Sequence, residues 1–167
     1  MAQLGEKYRE LDPKQLQEVL AAEAAALDFD AFDLDSAWEI GTWIRERALA
    51  DGLGIGFSIV FGEQRVFHAA TPGAAAVNDA WLERKFRVVR HYAQASLAVR
   101  VDYLADGGSF ETDSNLDLLQ YAAAGGAVPI RVRGQVIGAV GVSGLEMHDD
   151  HALVVQALEA QLAKQQG

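Results

Sequence analysis

One predicted helix places a lysine among apolar side chains, and this lysine is well placed to do chemistry. The helix has a stripe of residues on one face, at spacings i, i+4, i+7 and i+11, formed by Trp81, Lys85, Val88 and Tyr92. Because burying an unpaired ammonium costs several kcal/mol, such a lysine either extends to water along its aliphatic stem or meets an anion. We predict that Lys85 lines a cleft and contacts a carboxylate, supplied by a ligand or by an acidic neighbour such as Asp150.

The same helix carries a second, cationic face. Arg84, Arg87 and Arg90 contribute its guanidinium groups. On a chain with a net charge of −10, such a face attracts an anionic ligand or an acidic neighbouring subunit. The alternative is a solvated face on which Glu83 pairs with Arg87, one helical turn away. We predict that Arg84 joins Lys85 in the cleft.

The segment from Ser143 to His151 concentrates histidines and carboxylates. His148 and His151 flank two aspartates, a combination found in metal sites. The cluster has no remote partner of ligand chemistry, and aspartates at a helix N-terminus are explained by capping and by the helix dipole. We therefore predict no bound metal. Because Ser143 is one residue short of the Gly-x-Ser-x-Gly nucleophile motif, no catalytic residue is assigned.

Hydrophobic periodicity predicts the elements that must position these residues. We expect helices over about 13–27, 36–51, 78–94, 115–123 and 149–164, and strands over 55–61, 66–67, 97–101, 128–132 and 136–142. Glycine-containing turns join two of the strand pairs into hairpins. This order predicts an α/β (α+β) fold in which helices pack on an antiparallel sheet, with the hairpin 128–142 central to it, rather than a doubly wound parallel fold.

Composition limits the class of protein. The chain has 167 residues, 24 of them acidic and 14 basic, and half are hydrophobic. We expect one domain spanning 1–167, with the helix near 13–27 packed on it or extending from it. The absence of cysteine excludes disulfides and thiol catalysis. The negative charge, and the lack of an apolar run near the roughly 20 residues of a membrane span, predict a cytoplasmic protein with neither nucleic acid nor membrane as partner.

Three groups of residues, taken together, carry a family resemblance. They are Asp79–Lys85 with Val88, Val89 and Ser96; Tyr121, Ala122, Gly125, Gly126, Pro129 and Ile130; and Val136–Gly138, Val142–Leu145, Asp150 and His151. In this pattern, and in Phe67–Gly73, the chain resembles the haem-degrading-domain (HbpS/GlcG-like) superfamily. The branch it is similar to contains small cytosolic proteins of bacteria and yeast. The resemblance covers about residues 15–163.

The resemblance implies a profilin-like sandwich, with a five-stranded antiparallel sheet packed by helices, and assembly into homo-oligomers, as dimers or larger rings. It implies a small-ligand site, with haem or a small carboxylate as the candidate ligand. Matching positions that carry over are Trp81, Arg84, Lys85, Ser96, Gly125, Gly126, Ser143, Gly144, Asp150 and His151; Tyr92 joins them from the helical stripe. The family pattern often has histidines where this sequence has Ala93 and Ala124.

Three classes of function follow. The first is an oligomeric protein that binds a small anionic ligand. The second is a non-catalytic interaction protein whose polar motifs build subunit interfaces. The third is an enzyme that degrades haem or acts on a small metabolite. It ranks below the other two because no clear acid–base pair is evident in the sequence.

Overall fold

A computed structural model of the chain describes residues 4–167. Its helices are α1 Glu6–Arg9, α2 Pro13–Ala26, α3 Leu34–Ala50, α4 Ala76–Tyr92, α5 Ser96–Ala105, α6 Phe110–Asp113 and α7 Met147–Gln166. Its strands are β1 Asp28–Phe29, β2 Gly56–Phe61, β3 Gln64–Ala70, β4 Ala127–Val132 and β5 Gln135–Ser143. Within this range, no helix has the length and apolar character needed to cross a membrane.

The strands form one sheet in the order β1-β4-β5-β2-β3. The hairpins β2–β3 and β4–β5 are antiparallel, and β2 pairs antiparallel with β5 to join them. The two-residue strand β1 lies parallel to β4 at the other edge. The predicted architecture, a five-stranded sheet packed by helices, is confirmed. The sheet departs from the predicted antiparallel arrangement only at β1, whose two residues lie parallel to β4. The hairpin predicted over 128–142 supplies β4 and the central strand β5.

Helices cover both faces of the sheet. On one face, α3 and α7 bury a core with the inward side chains of β2, β4 and β5, among them Phe57 and Ile130. On the other face, α4 packs Leu82 and Phe86 against β5. Gly141 makes this approach close, because a Cβ there would lie 2.8 Å from the Phe86 ring. The helix that carries the predicted site is thereby held directly against the sheet.

Two predicted elements are wrong. The residues predicted as a strand over 97–101 form helix α5. Leu97 and Val101 face a cluster with α2, whereas Val99 faces a separate cluster around Phe110. Because α5 is buried on two sides, apolar residues occur on both of those faces of the helix. Their order in the sequence therefore alternates as it would in a strand.

The helix predicted over 115–123 is also absent. Asn115 has a positive φ of 59°, and Asp117 closes a single turn by accepting backbone hydrogen bonds from Gln120 and Tyr121. The chain then runs without regular structure to β4, and the backbone N–H of Ala122 donates to the carbonyl of Arg84. The short helix of this region is α6, which precedes the predicted one.

Candidate functional site

Lys85 is buried at the junction of α4 with the end of β5. Lys85 is 3% exposed, and its Nζ lies 3.2 Å from Oδ2 of Asp150. The ammonium also donates to the backbone carbonyl of Val142, at 3.1 Å. The predicted contact between Lys85 and Asp150 is present, and the alternative of a lysine extended into solvent is wrong.

The first turns of α7 hold Asp150 in place. Its Oδ1 accepts a hydrogen bond of 2.9 Å from the backbone N–H of Leu145. Burial raises the pKa of Asp150 to about 6, although the Lys85 ammonium and the N–H groups of Leu145 and Gly144 oppose this change. Burial lowers the pKa of Lys85, and Asp150 opposes that shift. Burial thus disfavours the charged form of both groups, and each charge partly offsets that cost for the other.

Two glycines let the backbone close around this ion pair. Gly126 has φ +133°, and a Cβ there would lie 2.6 Å from Lys85 Nζ and 3.0 Å from the Cβ of Asp150. Gly144 has φ +145°, and a Cβ there would lie 3.0 Å from the Cα of Ile55. Both values of φ favour glycine. Gly125 is packed against the backbone of Met147. These three glycines, all predicted site residues, allow neighbouring backbone segments to pack closely around the ion pair.

A cavity of about 330 Å³ opens onto the ion pair, and we call it the Lys85 cavity. Its lining consists of Asn78, Trp81, Lys85, Ala124, Ser143, Gly144, Leu145, Met147 and Asp150. The Oδ1 of Asn78 accepts from the backbone N–H of Ala75, which leaves the amide donors of this side chain for a ligand. Ser143 makes no side-chain hydrogen bond to any other residue of 4–167. Polar donors therefore remain available around a partly apolar space.

A second cation, Arg84, lies on the Trp81 ring, outside the lining of the Lys85 cavity. The guanidinium of Arg84 lies 4.4 Å from the centre of the Trp81 ring, and its Nη2 donates to the carbonyl of Leu118 at 2.8 Å. Arg84 forms no ion pair with a carboxylate of residues 4–167, and its buried Nε has no hydrogen-bond partner there. Within the lining, Asp150 balances the charge of Lys85, and Arg84 adds a cation beside Trp81.

Besides Arg84, Gly125 and Gly126, three predicted site residues lie outside the lining of the Lys85 cavity. Tyr92, at the end of α4, shares a hydrogen bond of 2.9 Å with the hydroxyl of Tyr103. The hydroxyl of Ser96 joins α5 to the start of β4, because it bonds both the carbonyl and the N–H of Ala127. His151 follows Asp150 on α7 but points away from the Lys85 cavity.

His151 belongs instead to a buried cluster with Tyr8 and Glu23, which the sequence analysis missed. The carboxylate of Glu23 accepts from Tyr8 Oη and from His151 Nε2, each at 2.6 Å. Although burial opposes it, the hydrogen bonds from His151 and Tyr8 lower the pKa of Glu23. No local pattern predicts this cluster, because Glu23 and His151 are 128 residues apart in the chain.

Neither a metal nor haem fits the Lys85 cavity well. Within residues 4–167, no three His, Asp or Glu side chains come together as a metal site. His148 bonds the side chain of Glu146 at 2.6 Å. The cavity lining contains no histidine or tyrosine, and position 124, where the family pattern often has histidine, is alanine. Met147 is the one side chain of the lining that ligates haem iron in other proteins.

Sequence comparison identifies relatives of the chain. The family model described as "Haem degrading protein HbpS-like" matches residues 32–159. A UPF0303 protein of Rhizobium etli is 44% identical over 146 residues, which cover 87% of this chain and 88% of that protein. A UPF0303 protein of Streptomyces avermitilis is 45% identical over 141 residues, which cover 84% of this chain and 86% of that protein.

Two solved structures show the same fold. The crystal structure of Ybr137w protein matches with a TM-score of 0.82 and 23% identity, and the match covers 90% of each chain. The PduOC:haem complex matches with a TM-score of 0.66 and 20% identity, covering 78% of this chain and 94% of that one. At these identities, the comparison supports the architecture of the sheet and helices and is silent on the ligand of this chain.

Proposed function

Because the chain belongs to the HbpS-like family of haem-degrading proteins, we propose that it is a small-molecule-binding protein whose ligand is a small organic carboxylate held in the Lys85 cavity. The observation that carries this proposal is the buried Lys85–Asp150 pair at the cavity floor. A buried ion pair contributes little to stability compared with well-packed apolar residues. Its placement beside a cavity is therefore better explained by ligand binding.

The charges around the Lys85 cavity favour an anion. Asp150 neutralises Lys85, and Arg84 adds a positive charge that no carboxylate of the described chain pairs. The ammonium has three N–H donors, of which Val142 and Asp150 accept two. The third, together with the hydroxyl of Ser143 and the amide of Asn78, provides donors that suit carboxylate oxygens.

The size and chemistry of the lining favour a small carboxylate over haem. A volume of about 330 Å³ is at the lower end of the range of roughly 300–1,000 Å³ for small-molecule sites. One structural relative is a haem complex. In this chain, however, the cavity has alanine at position 124 and offers one thioether and no imidazole. Haem is the alternative ligand, and the experiment below separates the two.

The test is thermal unfolding of the purified protein with acetate, lactate or succinate, alongside acetamide as a neutral analogue, and a spectral titration with haemin. We expect a carboxylate, but not acetamide, to raise the melting temperature. The double variant Lys85→Met/Asp150→Asn should lose this response. Arg45→Met, which removes an exposed cation outside the cavity, should keep it. A haem Soret shift with no carboxylate response in the wild type would contradict the proposal.

We also propose that the protein is a homo-oligomer. On α3, Leu34 is 63% and Trp38 is 65% exposed, and the Trp38 ring contacts Phe67 of β3. Within residues 4–167, strand β3 lies at the edge of the sheet, and no further strand pairs with its outer side. An apolar patch beside an open edge is typical of a subunit interface. Light scattering at micromolar concentration should give a multiple of 18.0 kDa, and Trp38→Ser should lower it; the mass of one chain would contradict this reading.

A further inference from the structure

A second and larger cavity lies between α2, α5 and β4, and His151 of α7 is part of its lining. Its volume is about 480 Å³, and none of its lining residues is shared with the Lys85 cavity. We propose that this α2–α5 cavity is a separate binding site for an organic carboxylate with an apolar body, and that Arg131 binds the carboxylate group.

The walls of the α2–α5 cavity are mainly aliphatic. Leu20 contributes from α2, Leu27 from just after it, Ala98 from α5 and Val128 from β4. Apolar walls with a few convergent polar groups are the usual composition of a small-molecule site. The body of the ligand must therefore be apolar, and the volume admits a chain or ring of several carbons.

Arg131 supplies a cation without a matching anion. Its Nη2 donates to the carbonyl of Ala93 at 2.7 Å, which leaves most of its five N–H donors free. It forms no ion pair with a carboxylate of residues 4–167. On the neighbouring strand β1, Asp28 lies in register with Arg131. Its Oδ1 accepts a hydrogen bond from the backbone N–H of Gly134 and none from Arg131. Burial lowers the pKa of Arg131, and the charge of Asp28, which makes no hydrogen bond to it, opposes this shift.

The carboxylates of the cavity are already used within the protein. Glu23 accepts from Tyr8 and His151, and Asp102 accepts from Gln17 Nε2 at 2.8 Å. These bonds hold both acids in the cavity wall. Among the lining side chains, Arg131 is the cation that no carboxylate of residues 4–167 pairs, and a ligand carboxylate can accept hydrogen bonds from it in the fork geometry that guanidinium groups favour.

The experiment compares hexanoate with hexylamine by isothermal titration calorimetry on the full chain. These probes have the same apolar body and opposite charge. We expect hexanoate to bind and hexylamine not to bind. Arg131→Met should weaken hexanoate binding about tenfold to hundredfold, because hydrogen bonds to a charged group are lost. Arg133→Met, in the same hairpin but outside the lining, should leave the affinity unchanged.

Two further variants separate this site from the Lys85 cavity and from misfolding. Ala98→Leu retains Arg131 but fills space in the α2–α5 cavity, and should also abolish hexanoate binding. Lys85→Met/Asp150→Asn should leave hexanoate binding intact. The inference is overturned if hexylamine binds as well as hexanoate, if hexanoate does not bind the wild type, or if only the Lys85 double variant loses it. The last result would leave the Lys85 proposal standing.

Discussion

Replacing Lys85 by methionine should destabilise the protein in a way that depends steeply on pH. Methionine retains the apolar stem, but Asp150 then stays buried without its cation. In the wild type, burial raises the pKa of Asp150 to about 6, so this carboxylate is ionised above that pH. Without Lys85, the pKa of Asp150 rises further and the side chain remains protonated.

The magnitude follows from proton linkage. Above pH 6, the native variant binds one proton that neither its unfolded chain nor the native wild type binds. The stability of the variant relative to wild type therefore falls as pH rises, by about 1.4 kcal/mol per pH unit. Between pH 6 and pH 8 the loss is about 3 kcal/mol, a large part of the roughly 5–15 kcal/mol that stabilises a typical domain. Below pH 6 Asp150 is protonated in both native proteins, and this dependence disappears.

The assay is urea unfolding at several values of pH between 5 and 8, followed by tryptophan fluorescence and analysed by linear extrapolation. The matched control is Lys85→Met/Asp150→Asn, whose stability relative to wild type should not change between pH 6 and pH 8, because no titrating carboxyl remains at position 150. A difference between Lys85→Met and wild type that is constant over this range would refute the reasoning. It would mean that Asp150 ionises without Lys85.

Other perturbations test the surrounding structure. Tyr8→Phe should cost about 1.5–3 kcal/mol in urea unfolding because it removes a hydrogen bond to the ionised Glu23; an unchanged midpoint would argue that this bond does not form in solution. Gly126→Ala should lower the melting temperature by several degrees, whereas Gly134→Ala, whose added Cβ meets open space, should lower it less. Equal effects would mean that the positive φ at both positions, and not the close contacts of Gly126, causes the loss of stability. The affinity for a small carboxylate should increase as pH falls through 6, because protonation of Asp150 leaves the ammonium charge unbalanced; titration calorimetry showing weaker binding at pH 5.5 than at pH 7.5 would contradict this expectation.

Local patterns in the sequence determined several elements and one feature of the site. Asp12 followed by Pro13 predicts the start of α2, and the structure has a capping box there. The alternating residues on either side of Gly134 predict the β4–β5 hairpin. A lysine on an apolar stripe predicts a buried anion beside it, because an uncompensated charge is too costly to bury. Each of these features depends on residues close together in the sequence or on the large free-energy cost of burying an unpaired charge.

Tertiary structure decided what those patterns leave open. The alternation of residues 97–101 is the same for a strand and for a helix buried on two sides, and only the packing of α5 against both α2 and α6 selects the helix. Strand β1 has two residues and depends on the edge of β4 that it meets. Asp150 and His151 are adjacent in sequence, yet successive residues of a helix point about 100° apart. For this reason α7 directs Asp150 to Lys85 and His151 to Glu23, and the two residues line different cavities.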